Sequence, residues 1–430
     1  MSDHANKILV VGQGGREHAL AYALHRSGSA PTLLAYPGHA GMADLAPAWP
    51  LQSAEQLEQQ ALRDGIEFCV VGPEQYLADG WADRLRGAGI PVWGPGRESV
   101  RLETSKAFAK EFMFRHGIPT GLAQVAHTAD ELRELARARP CVLKFDGLAA
   151  GKGVAICESD AQVEAFVEEV FEQQRFGAGS VLVEEYLQGP EVSIMTAVSD
   201  GAYHCFPAAR DYKRQCDGDQ GPNTGGMGAV ASTHLLDEAL LAEIEQRLIA
   251  PTVAGLVADQ LAYRGFLYFG VMLTAQGPKM LEYNCRFGDP EAQAVLPLVE
   301  GDFAGFLYQA AQGKLAPERI QFASDWSVCV VMATADYPAR SGRGQPVHGL
   351  DDRASDALVF HAGTQLNAEG EFETNGGRVL AVSARGTDRV AAVENAYAGL
   401  RGIRFEGAQW RSDIGRLHFD AERSAGHDSG

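Results

Sequence analysis

The sequence predicts an α/β protein whose first hundred residues form a doubly wound parallel sheet. Four short apolar runs alternate there with helical patterns, and each run is continuous rather than alternating, as in strands buried on both faces. Glycine or proline marks the end of each run. The runs are ILVV (8–11), TLLA (32–35), FCVV (68–71) and IPVW (90–93). Ligands of such sheets bind beyond the carboxyl ends of the strands, so these glycine-marked ends predict a ligand site.

The rest of the chain also mixes helical and extended patterns. Amphipathic stretches that end at glycine or proline predict helices, and short apolar runs predict strands. We expect helices over 99–116, 130–139, 161–174 and 235–256, and strands over 141–145, 181–185 and 327–333. The polar residues after 420 are expected to form a frayed tail. The pattern therefore predicts further α/β units after the first sheet.

The composition limits the class of protein. A chain of 430 residues exceeds the size at which one core stops growing, so several domains are expected. The net charge of −19 argues against broad nucleic-acid binding, and an anionic substrate would need a locally basic pocket. Seven scattered cysteines show no zinc spacing and suit a reducing compartment. With no leader pattern and no apolar stretch near ~20 residues, we expect a cytoplasmic monomer that acts on small molecules, without membrane or nucleic-acid partners.

A glycine-rich turn follows the first predicted strand. It reads Gly12-Gln13-Gly14-Gly15-Arg16-Glu17-His18, which is not the G-x-G-x-x-G of dinucleotide sites. One interpretation is a tight strand-to-helix turn. The other is an anion site, in which helix N-terminal amides and Arg16 bind a phosphate or carboxylate. The combination of Arg16, Glu17 and His18 favours the anion site, because a plain turn does not require these side chains.

A second glycine-rich loop follows the strand predicted over 141–145. Lys144 lies at the end of that strand, and the loop DGLAAGKGV (146–154) contributes three glycines and Lys152. Such a loop can fold over phosphates, whose oxygens meet backbone N–H groups and lysine charge. It lacks G-x-x-x-x-G-K-[ST] and is not a P-loop. The alternative, a hairpin with solvated lysines, is weaker, because the glycines would then weaken a strand without purpose.

Two further segments add weaker evidence for a ligand site. The strand VLVEEYL (181–187), followed by Glu191, can offer backbone groups to an adenine edge and a carboxylate to ribose hydroxyls. Taken alone, it is better explained as an exposed acidic strand end. A loop over 217–228 carries five glycines and follows the charged run 210–214. It is either a solvent-exposed loop or a mobile substrate clamp, and loops of this kind inside compact domains tend to be functional.

The segment KMLEYNCRFGDPE (279–291) is the strongest candidate for a metal site. Alternation along a strand places Glu282, Asn284 and Arg286 on one face and residues 281, 283 and 285 on the other. A carboxylate and an amide oxygen can bind Mg²⁺, which also bridges phosphates, and Arg286 can neutralise an acyl phosphate or a carboxylate. The alternative is a polar ladder on a half-exposed strand. The residue order and the turn that follows favour a metal–phosphate site.

Together these segments resemble the phosphoribosylamine–glycine ligases (glycinamide ribonucleotide synthetases), a family of ATP-grasp enzymes of purine synthesis. The resemblance covers about residues 7–415. It rests on GGREHAL (14–20), VGPE (71–74), SKAFAK (105–110), DGLAAGKGV (146–154), GPNTGGMG (221–228), NCRFGDPE (284–291), FHAGT (360–364) and TNGGRVL (374–380).

The resemblance implies an α/β architecture of several domains. An N-terminal doubly wound, pre-ATP-grasp domain would occupy 1–103. A two-part ATP-grasp core would follow, with its large subdomain over 104–120 and 191–326 and a mobile lid over 121–190. A C-terminal mixed α/β domain would span 327–420, before a tail over 421–430.

The resemblance also implies roles for individual residues. The implied cofactors are ATP and Mg²⁺ or Mn²⁺, with Glu282 and Asn284 as metal ligands, and the implied catalytic residues are Arg286, Lys213 and Asp211. The implied ATP-binding residues are Lys106, Lys144, Gly151, Lys152 and Gly153 at the phosphates, Glu184, Glu185, Tyr186 and Leu187 at the adenine, and Glu191 at the ribose. The implied substrate-binding residues are Gly14, Gly15, Arg16, Glu17, Gly72, Glu74, Asn223, Thr224, Gly225, Gly226, Gly288 and Asp289.

The chain departs from the family's pattern in four motifs. The usual K-A-D-G, G-P-E-x-P-L, Q-D-H-K-R and D-P-E-T-Q are altered at Phe145, Gln75, Tyr76, Arg210, Tyr212 and Ala292. We expect these changes to fall on substrate-facing loops. A bulky Phe145 or the lost imidazole at Tyr212 could then reshape the choice of acceptor or acyl donor.

The sequence leaves three functional hypotheses. We expect the chain to join glycine to 5-phosphoribosylamine: glycine would take the γ-phosphate of ATP, and the amine would displace phosphate from glycyl phosphate. The alternative is a divergent paralogue with the same acyl-phosphate chemistry on a different carboxylate or amine. A nucleotide-binding module without catalysis is the third, and intact Lys144, Glu282, Asn284 and Arg286 argue against it.

Overall fold

The N-terminal unit is a four-stranded parallel sheet flanked by helices. A computed structural model describes residues 4–147, 153–350 and 356–416 of the chain. The strands of this unit run in the order β2-β1-β3-β4. They are β1 (Lys7–Gly12), β2 (Thr32–Pro37), β3 (Phe68–Val71) and β4 (Val92–Trp93), and the helices are α1 (Gly15–His25), α2 (Leu57–Arg63), α3 (Glu74–Ala78) and α4 (Trp81–Gly87).

The continuous apolar runs form this sheet because both of its faces are covered. In β1, Ile8 and Val10 pack into one hydrophobic core, whereas Leu9 and Val11 pack into another on the opposite face. Strand β1 pairs in parallel with β2 and with β3. The α/β fold class and the doubly wound N-terminal sheet are therefore confirmed.

The helix predicted over 99–116 is two helices, α5 (Arg101–Thr104) and α6 (Lys106–Arg115). Ser105 separates them because its backbone is extended and its side chain caps α6, accepting a hydrogen bond from the backbone N–H of Phe108. A serine at this position is a typical helix N-cap. The break directs the start of α6 toward the glycine-rich loop that begins at Asp146.

The region predicted as the lid contains an antiparallel sheet in the order β5-β8-β6-β7. Its elements are β5 (Ala123–Ala126), α7 (Ala129–Leu135), β6 (Cys141–Phe145), β7 (Val154–Cys157), α8 (Asp160–Val167), a π-helical turn (Glu168–Glu172) and β8 (Val181–Glu185). The strands predicted over 141–145 and 181–185 are confirmed. The apolar residues of this region form a hydrophobic cluster of their own, drawn only from residues 126–183.

A nine-stranded sheet forms the centre of the molecule, in the order β16-β15-β9-β11-β14-β19-β24-β21, with β10 paired to β9. Its first strands are β9 (Glu191–Ser199), β10 (Ala202–Cys205), β11 (Ala208–Asp211), β14 (Gly228–Ser232), β15 (Arg264–Thr274) and β16 (Gly277–Asn284). Strands β12 (Arg214–Cys216) and β13 (Gln220–Asn223) form a separate hairpin between β11 and β14. The helix predicted over 235–256 is α9 (Glu238–Ile244), a π-helical turn (Glu245–Ile249) and α10 (Ala250–Ala258).

The C-terminal part of the chain continues the central sheet. Its elements are α11 (Glu291–Val295), β17 (Val299–Gly301), α12 (Phe303–Ala310), β18 (Ile320–Phe322), β19 (Trp326–Ala333), β20 (Gly342–Pro346), β21 (Leu358–His361), β22 (Thr364–Leu366), β23 (Phe372–Gly376), β24 (Arg378–Gly386) and α13 (Arg389–Leu400). Strand β19 pairs with β14. The domain boundary predicted at 326/327 thus falls where a strand joins this sheet, and the division into domains stays a prediction.

One hydrophobic core joins the N-terminal unit to the central sheet. It contains Leu20 of α1, Phe266 of β15 and Phe360 of β21. The two units therefore share buried surface, in contrast to the region of β5–β8. Among the described residues, no helix is both long enough and apolar enough to cross a lipid bilayer.

Candidate active site

Two lysines predicted at the phosphates lie beside the strand of the predicted metal ligands. The Nζ of Lys144, near the end of β6, donates to Oε2 of Glu184 at 3.0 Å and to the backbone oxygen of Leu281 at 3.4 Å. The Nζ of Lys106, at the start of α6, donates to the backbone oxygen of Gly147 at 3.0 Å. Burial lowers the pKa of Lys106. The start of the glycine-rich loop and β16 therefore meet, although they are far apart in sequence.

Asp146 anchors the beginning of this loop to α6. Its Oδ1 accepts from the backbone N–H of Ala107 at 3.2 Å, and its Oδ2 accepts from Oγ of Ser105 at 3.3 Å. A carboxylate at a helix N-terminus is favourable because the free N–H groups carry partial positive charge. Gly151 and Lys152 lie outside the described residues. Gly153 is described, and its backbone oxygen accepts from the N–H of Phe145 at 2.8 Å.

The residues predicted at the adenine occupy different environments. The carboxylate of Glu184 is buried and pairs with Lys144 and, at 3.2 Å, with Lys110. Glu185 is exposed, and its carboxylate accepts from the N–H of Leu122 at 3.1 Å. Leu187 is buried and Tyr186 is half-buried. The side chain of Glu184 is therefore engaged by two lysines, an arrangement that sequence reasoning missed because it did not single out Lys110.

The predicted metal ligands Glu282 and Asn284 lie on one face of β16, as alternation requires. A bulge opposite Gly270 and Val271 interrupts the pairing of β15 with β16, between Glu282 and Met280. After the bulge the side chains alternate regularly, so Glu282 and Asn284 lie on one face and the buried Tyr283 and Cys285 on the other. The carboxylate of Glu282 is 41% exposed and therefore reachable by a ligand.

Four cations surround Glu282. Burial opposes ionisation of its carboxyl, but Lys213, Lys144, Lys106 and Arg286 outweigh this and hold its pKa below the usual value. The Nζ of Lys213 lies 4.0 Å from Oε1 of Glu282. The three lysines come from three segments remote from β16 in sequence, and the fold brings them to a carboxylate that Arg286 follows by four residues.

Arg286 is held by two carboxylates from different parts of the chain. Its Nη2 lies 2.9 Å from Oε1 of Glu103, and its Nε lies 3.3 Å from Oε2 of Glu74. Nη2 also donates to Oδ1 of Asn284 at 3.3 Å, and Nη1 donates to the backbone oxygen of Phe287 at 3.1 Å. Sequence reasoning missed Glu103, because neither spacing nor motif links it to Arg286. Burial raises the pKa of Glu103 to about 7 even though Arg286 opposes this shift.

Lys213 lies in a group of buried and half-buried polar side chains. Its Nζ is 2.5 Å from Oε1 of Glu191, the residue predicted at the ribose. Oδ1 of Asp211 is buried and has no hydrogen-bond partner among the described residues. Burial and then the nearby charge of Glu291 raise the pKa of Asp211 well above its usual value. Glu291 accepts from Oγ of Ser193 at 2.9 Å. The group combines one ammonium with several carboxylates, and in the described part of the chain Oδ1 of Asp211 accepts no hydrogen bond.

Glu17 organises the first glycine turn. Its Oε2 accepts from the N–H of Gly14 at 2.7 Å, and its Oε1 lies 2.5 Å from Nε of Arg16. A Cβ at Gly12 or Gly72 would lie 2.1 or 2.2 Å from atoms of the Glu17 side chain, so glycine is required at both positions. The turn is thus built around a buried carboxylate, and Arg16 reaches to within 4.0 Å of Glu74.

Arg378, from the C-terminal part of the chain, joins two predicted substrate loops. Its Nη2 lies 2.9 Å from Oδ2 of Asp289, and its Nη1 donates to the backbone oxygens of Asp289 at 2.8 Å and of Gly225 at 2.5 Å. Its guanidinium and that of Arg16 help to lower the pKa of Asp289, against the effect of burial. The TNGGRVL motif contains Arg378, but the sequence gives no reason to assign it to these loops.

The remaining predicted substrate residues lie around these loops. Oγ1 of Thr224 donates to the backbone oxygen of Lys213 at 2.8 Å, and Asn223 is exposed at the end of β13. A Cβ at Gly226 would lie 2.3 Å from Cδ of Pro290, and one at Gly288 would lie 2.3 Å from the carboxylate of Glu291. One at Gly15 would lie 2.6 Å from Nε2 of Gln293. These loops therefore pack too closely to admit side chains.

A cleft of about 950 Å³ separates the β5–β8 region from the β12–β13 hairpin. Its lining includes Val154, Tyr186, Arg214, Asn223 and Tyr337. Tyr186 belongs to the predicted nucleotide residues and Asn223 to the predicted substrate residues. One residue of each set therefore lines a space large enough for a small molecule, whereas Lys144 and Glu282 are not in its lining.

The departures at Phe145 and Tyr212 pack into hydrophobic cores, and that at Arg210 packs against the ring of Tyr212. The ring of Phe145 lies 5.4 Å from that of Phe176 in the core of the β5–β8 region. The ring of Tyr212 lies between the guanidinium groups of Arg210 and Arg411, at 5.2 and 5.1 Å, and its Oη accepts from the N–H of Gly415. The expectation that Phe145 and Tyr212 face substrates is therefore wrong, and for Arg210 it stays a prediction. Alternation along β6 turns Lys144 toward the site and Phe145 away from it.

The other departures are also engaged elsewhere. The ring of Tyr76 packs edge-on against Trp81 at 4.7 Å, and Nε2 of the exposed Gln75 donates to Oδ1 of Asp79 at 3.0 Å. Ala292 is fully buried in the core that joins the units. Tyr76 and Ala292 therefore contribute to packing, whereas Gln75 lies at the surface.

Three family models match consecutive parts of the chain. They describe the N domain of phosphoribosylglycinamide synthetase at residues 6–103, its ATP-grasp (A) domain at 104–292 and its C domain at 327–417. Together they account for most of the sequence.

Relatives that match over nearly their whole length carry one description. A phosphoribosylamine–glycine ligase of Xanthomonas axonopodis pv. citri is 43% identical, over 97% of this chain and 99% of that protein. One of Caulobacter vibrioides is 42% identical, over 95% and 97%.

Solved structures agree with these sequences. The crystal structure of the phosphoribosylamine–glycine ligase of Thermotoga maritima has a TM-score of 0.83 and 34% identity, over 95% of this chain and all of that chain. The biotin carboxylase domain of a 2-oxoglutarate carboxylase of Hydrogenobacter thermophilus has a TM-score of 0.72 at 18% identity, over 94% and 92% of the two chains, and shares the fold alone. The chain belongs to the phosphoribosylamine–glycine ligase family of ATP-grasp ligases.

Proposed function

We propose that the chain joins glycine to 5-phosphoribosylamine with ATP, giving glycinamide ribonucleotide, ADP and phosphate in purine biosynthesis. The observation that carries this proposal is the convergence of Lys106, Lys144, Lys213 and Arg286 on Glu282. Four cations around one solvent-accessible carboxylate form a setting for a metal-bound polyphosphate. Family membership supplies the substrates.

The nucleotide lies between the β5–β8 region and the central sheet in this proposal. Lys106 and Lys144 bind its phosphates, and the backbone of the segment 184–187 lies at its adenine. Glu191, whose carboxylate pairs with Lys213, lies at the ribose of the nucleotide. Fixed cations lower the cost of bringing the charges of ATP next to a second anion, because they need little reorganisation at the moment of reaction.

The metal of the proposal is Mg²⁺ or Mn²⁺, held by Glu282 and Asn284. The donors suit it: both are hard oxygens on one face of β16, and neighbouring cations keep the carboxyl of Glu282 ionised. The described residues contain no group of three or more histidine, cysteine or acidic ligands. A metal that takes most of its ligands from phosphates and water fits such a site. When bound, it would neutralise phosphate charge.

The chemistry comprises two displacements. A carboxylate oxygen of glycine forms a bond to the γ-phosphorus of ATP, and the bond to the leaving ADP oxygen breaks. The nitrogen of phosphoribosylamine then forms the amide bond as phosphate leaves and the amine loses a proton. Arg286 and Lys213 offset the negative charge in both steps, and Asp211 accepts the proton. A buried carboxyl with a raised pKa and a free oxygen suits this role.

A divergent paralogue would use other substrates, and the packing of the departures argues for the first function. Phe145 and Tyr212 lie in cores, and Ala292 is buried. Their side chains alter the packing behind the site, whereas the residues predicted to bind ATP and metal are the same as in the family.

The test is ADP and phosphate release with glycine and freshly generated phosphoribosylamine, with each substrate omitted in turn, against a panel of other carboxylates and amines. We expect full turnover only with the named pair. Release with another acid but none with glycine would overturn the proposal. The variant Glu282→Ala should lose ADP formation, and Glu238→Ala, an exposed residue of α9, serves as its control.

The proposal includes a monomer in the cytoplasm. The substrates and cofactor named here are small molecules, and no residue from a second copy is needed to complete the site as described. Light scattering during gel filtration measures the mass directly, and a mass near twice 46.1 kDa would contradict the monomer.

A further inference from the structure

Lys110 is a buried lysine of α6 that none of the roles above uses. It is 4% exposed, and its Nζ lies 3.2 Å from Oε2 of Glu184. Lysine is rarely buried without a paired charge, because removing an ammonium from water is costly. Its position therefore requires an explanation in terms of what it pairs with.

Lys110 and Lys144 compete for the same oxygen atom. The Nζ of Lys144 lies 3.0 Å from Oε2 of Glu184, the atom that Lys110 also contacts. Two ammonium groups and one carboxylate leave one net positive charge. The carboxylate is 5% exposed, so water weakens these interactions little. If Lys110 were absent, the whole charge of Glu184 would fall on Lys144.

Lys110 also contacts the chain where it enters the β5–β8 region. Its Nζ donates to Oγ1 of Thr120 at 2.6 Å and lies 3.5 Å from the backbone oxygen of Gly121. Oγ1 of Thr120 in turn donates to the backbone oxygen of Met280 at 2.7 Å, on the strand that carries Glu282. Glu184 stands where the chain leaves the same region. One ammonium therefore links both crossing points to α6.

Burial lowers the pKa of Lys110 to about 8, with Glu184 opposing this shift and Lys144 adding to it. The direction agrees with the geometry: the two lysines repel each other, and the shared carboxylate is what keeps them together.

We propose that Lys110 is a positioning residue for the nucleotide: it takes up part of the charge of Glu184, so that Lys144 stays available to the phosphates of ATP. This inference rests on the function proposed above, in which Lys144 binds those phosphates. In the absence of Lys110, Lys144 would form a tight pair with Glu184, and a phosphate would have to break that pair before binding.

Charge-balanced variants test this. Lys110→Met removes the ammonium and keeps the length of the side chain. We expect it to weaken ATP binding by about tenfold or more, because Glu184 then holds Lys144 alone. The double variant Lys110→Met/Glu184→Gln removes the competing anion too. Because residue 184 is placed at the adenine through its backbone, which glutamine keeps, we expect this variant to bind ATP within about threefold of the unmodified protein. A residue that only supports packing would show no such rescue. Lys314→Met, at an exposed lysine, is the matched control.

The measurement is the Kd of ATP by titration calorimetry, together with the KM for ATP and for glycine. The KM for glycine should stay close to that of the unmodified protein. Equal ATP affinity in the single and double variants would overturn the inference. If Lys110→Met does not fold, Glu184→Gln alone decides: freeing Lys144 should leave ATP binding equal or tighter, and weaker binding would overturn it. Calorimetry needs no turnover, so a protein that binds ATP but ligates no glycine would contradict the proposed function and leave this test intact.

Discussion

Oε1 of Glu103 lies 2.9 Å from Nη2 of Arg286, and its other oxygen accepts from the backbone N–H of Cys285 at 2.6 Å. One buried carboxylate thus fixes both the side chain of Arg286 and the backbone beside it. Glu74 holds the same guanidinium from the N-terminal sheet, but its side chain is 30% exposed. We infer that Glu103 fixes Arg286 in place, whereas Glu74 can yield to a substrate anion.

Glu103→Gln should reduce kcat by tenfold or more, because Arg286 loses its fixed partner at the acyl phosphate. Breaking a buried ion pair also costs about 3–5 kcal/mol of unfolding free energy. Steady-state kinetics and urea unfolding measure the two effects. Glu98→Gln, at an exposed residue that pairs with Arg101, is the control and should change neither. An unchanged kcat in a folded Glu103→Gln protein would contradict the role given to this residue.

Arg378→Ala should raise the KM for phosphoribosylamine by about tenfold or more, because a charge-assisted bond that holds the Asp289 turn against the Gly225 loop is lost. Formation of the acyl phosphate from glycine and ATP, trapped with hydroxylamine, should change less than the complete reaction. Arg343→Ala removes an exposed arginine of the same part of the chain and is the control. Equal losses in the two assays would place Arg378 in the first step instead.

Tyr212→His restores the family's usual residue and tests whether the departure sets the substrate. Because Tyr212 packs between two guanidinium groups and accepts a bond from Gly415, we expect the loss of about 1–3 kcal/mol of unfolding free energy. The KM for glycine and the ranking of other acids should stay the same. Thermal unfolding and the substrate panel measure these quantities. A changed ranking would show that Tyr212 acts on the pocket.

His39 should make the stability of the protein fall in mild acid. Burial lowers its pKa from 6.5 to about 4, so below pH 6.5 the unfolded chain binds a proton that the folded chain does not. The free energy of unfolding is therefore unaffected by His39 above pH 6.5 and falls as the pH drops from 6.5 toward 4. At pH 5 the loss amounts to about 2 kcal/mol.

The test compares urea unfolding of the unmodified protein and of His39→Asn at pH 7.5 and pH 5. The comparison between proteins is needed because Glu103, whose pKa is raised, contributes with the opposite sign over the same range. The unmodified protein should lose more stability than the variant. His234→Asn, at an exposed histidine, should behave like the unmodified protein. Equal losses in all three would contradict a neutral, buried His39.

The elements of the fold were largely predictable, because their causes are local. Continuous apolar runs such as ILVV (8–11) require burial on both faces, and β1 is buried in that way. Serine is a common helix cap, yet the amphipathic pattern on both sides of Ser105 predicts a single helix. Only the local geometry at that residue decided between one helix and two.

The partners within the site were much less predictable. The sequence places Lys144 on a strand, but it does not tell which carboxylate Lys144 meets. Lys110, Glu103 and Arg378 pair with residues that are distant in sequence. The separations are 74 residues from Lys110 to Glu184, 183 from Glu103 to Arg286, and 89 from Asp289 to Arg378. Side-chain alternation predicts which residues share a face, and only the packing of the sheets decides which face meets the ligand.

The β5–β8 region keeps its apolar residues in a cluster separate from the cores of the other units. Regions with their own core can open as separate cooperative units, with free energies below that of global unfolding. The backbone amides of β5–β8 can therefore exchange their hydrogens through a local opening in which the nine-stranded sheet stays folded. Such a protein could release a spent nucleotide without disturbing the strand that carries Glu282 and Asn284.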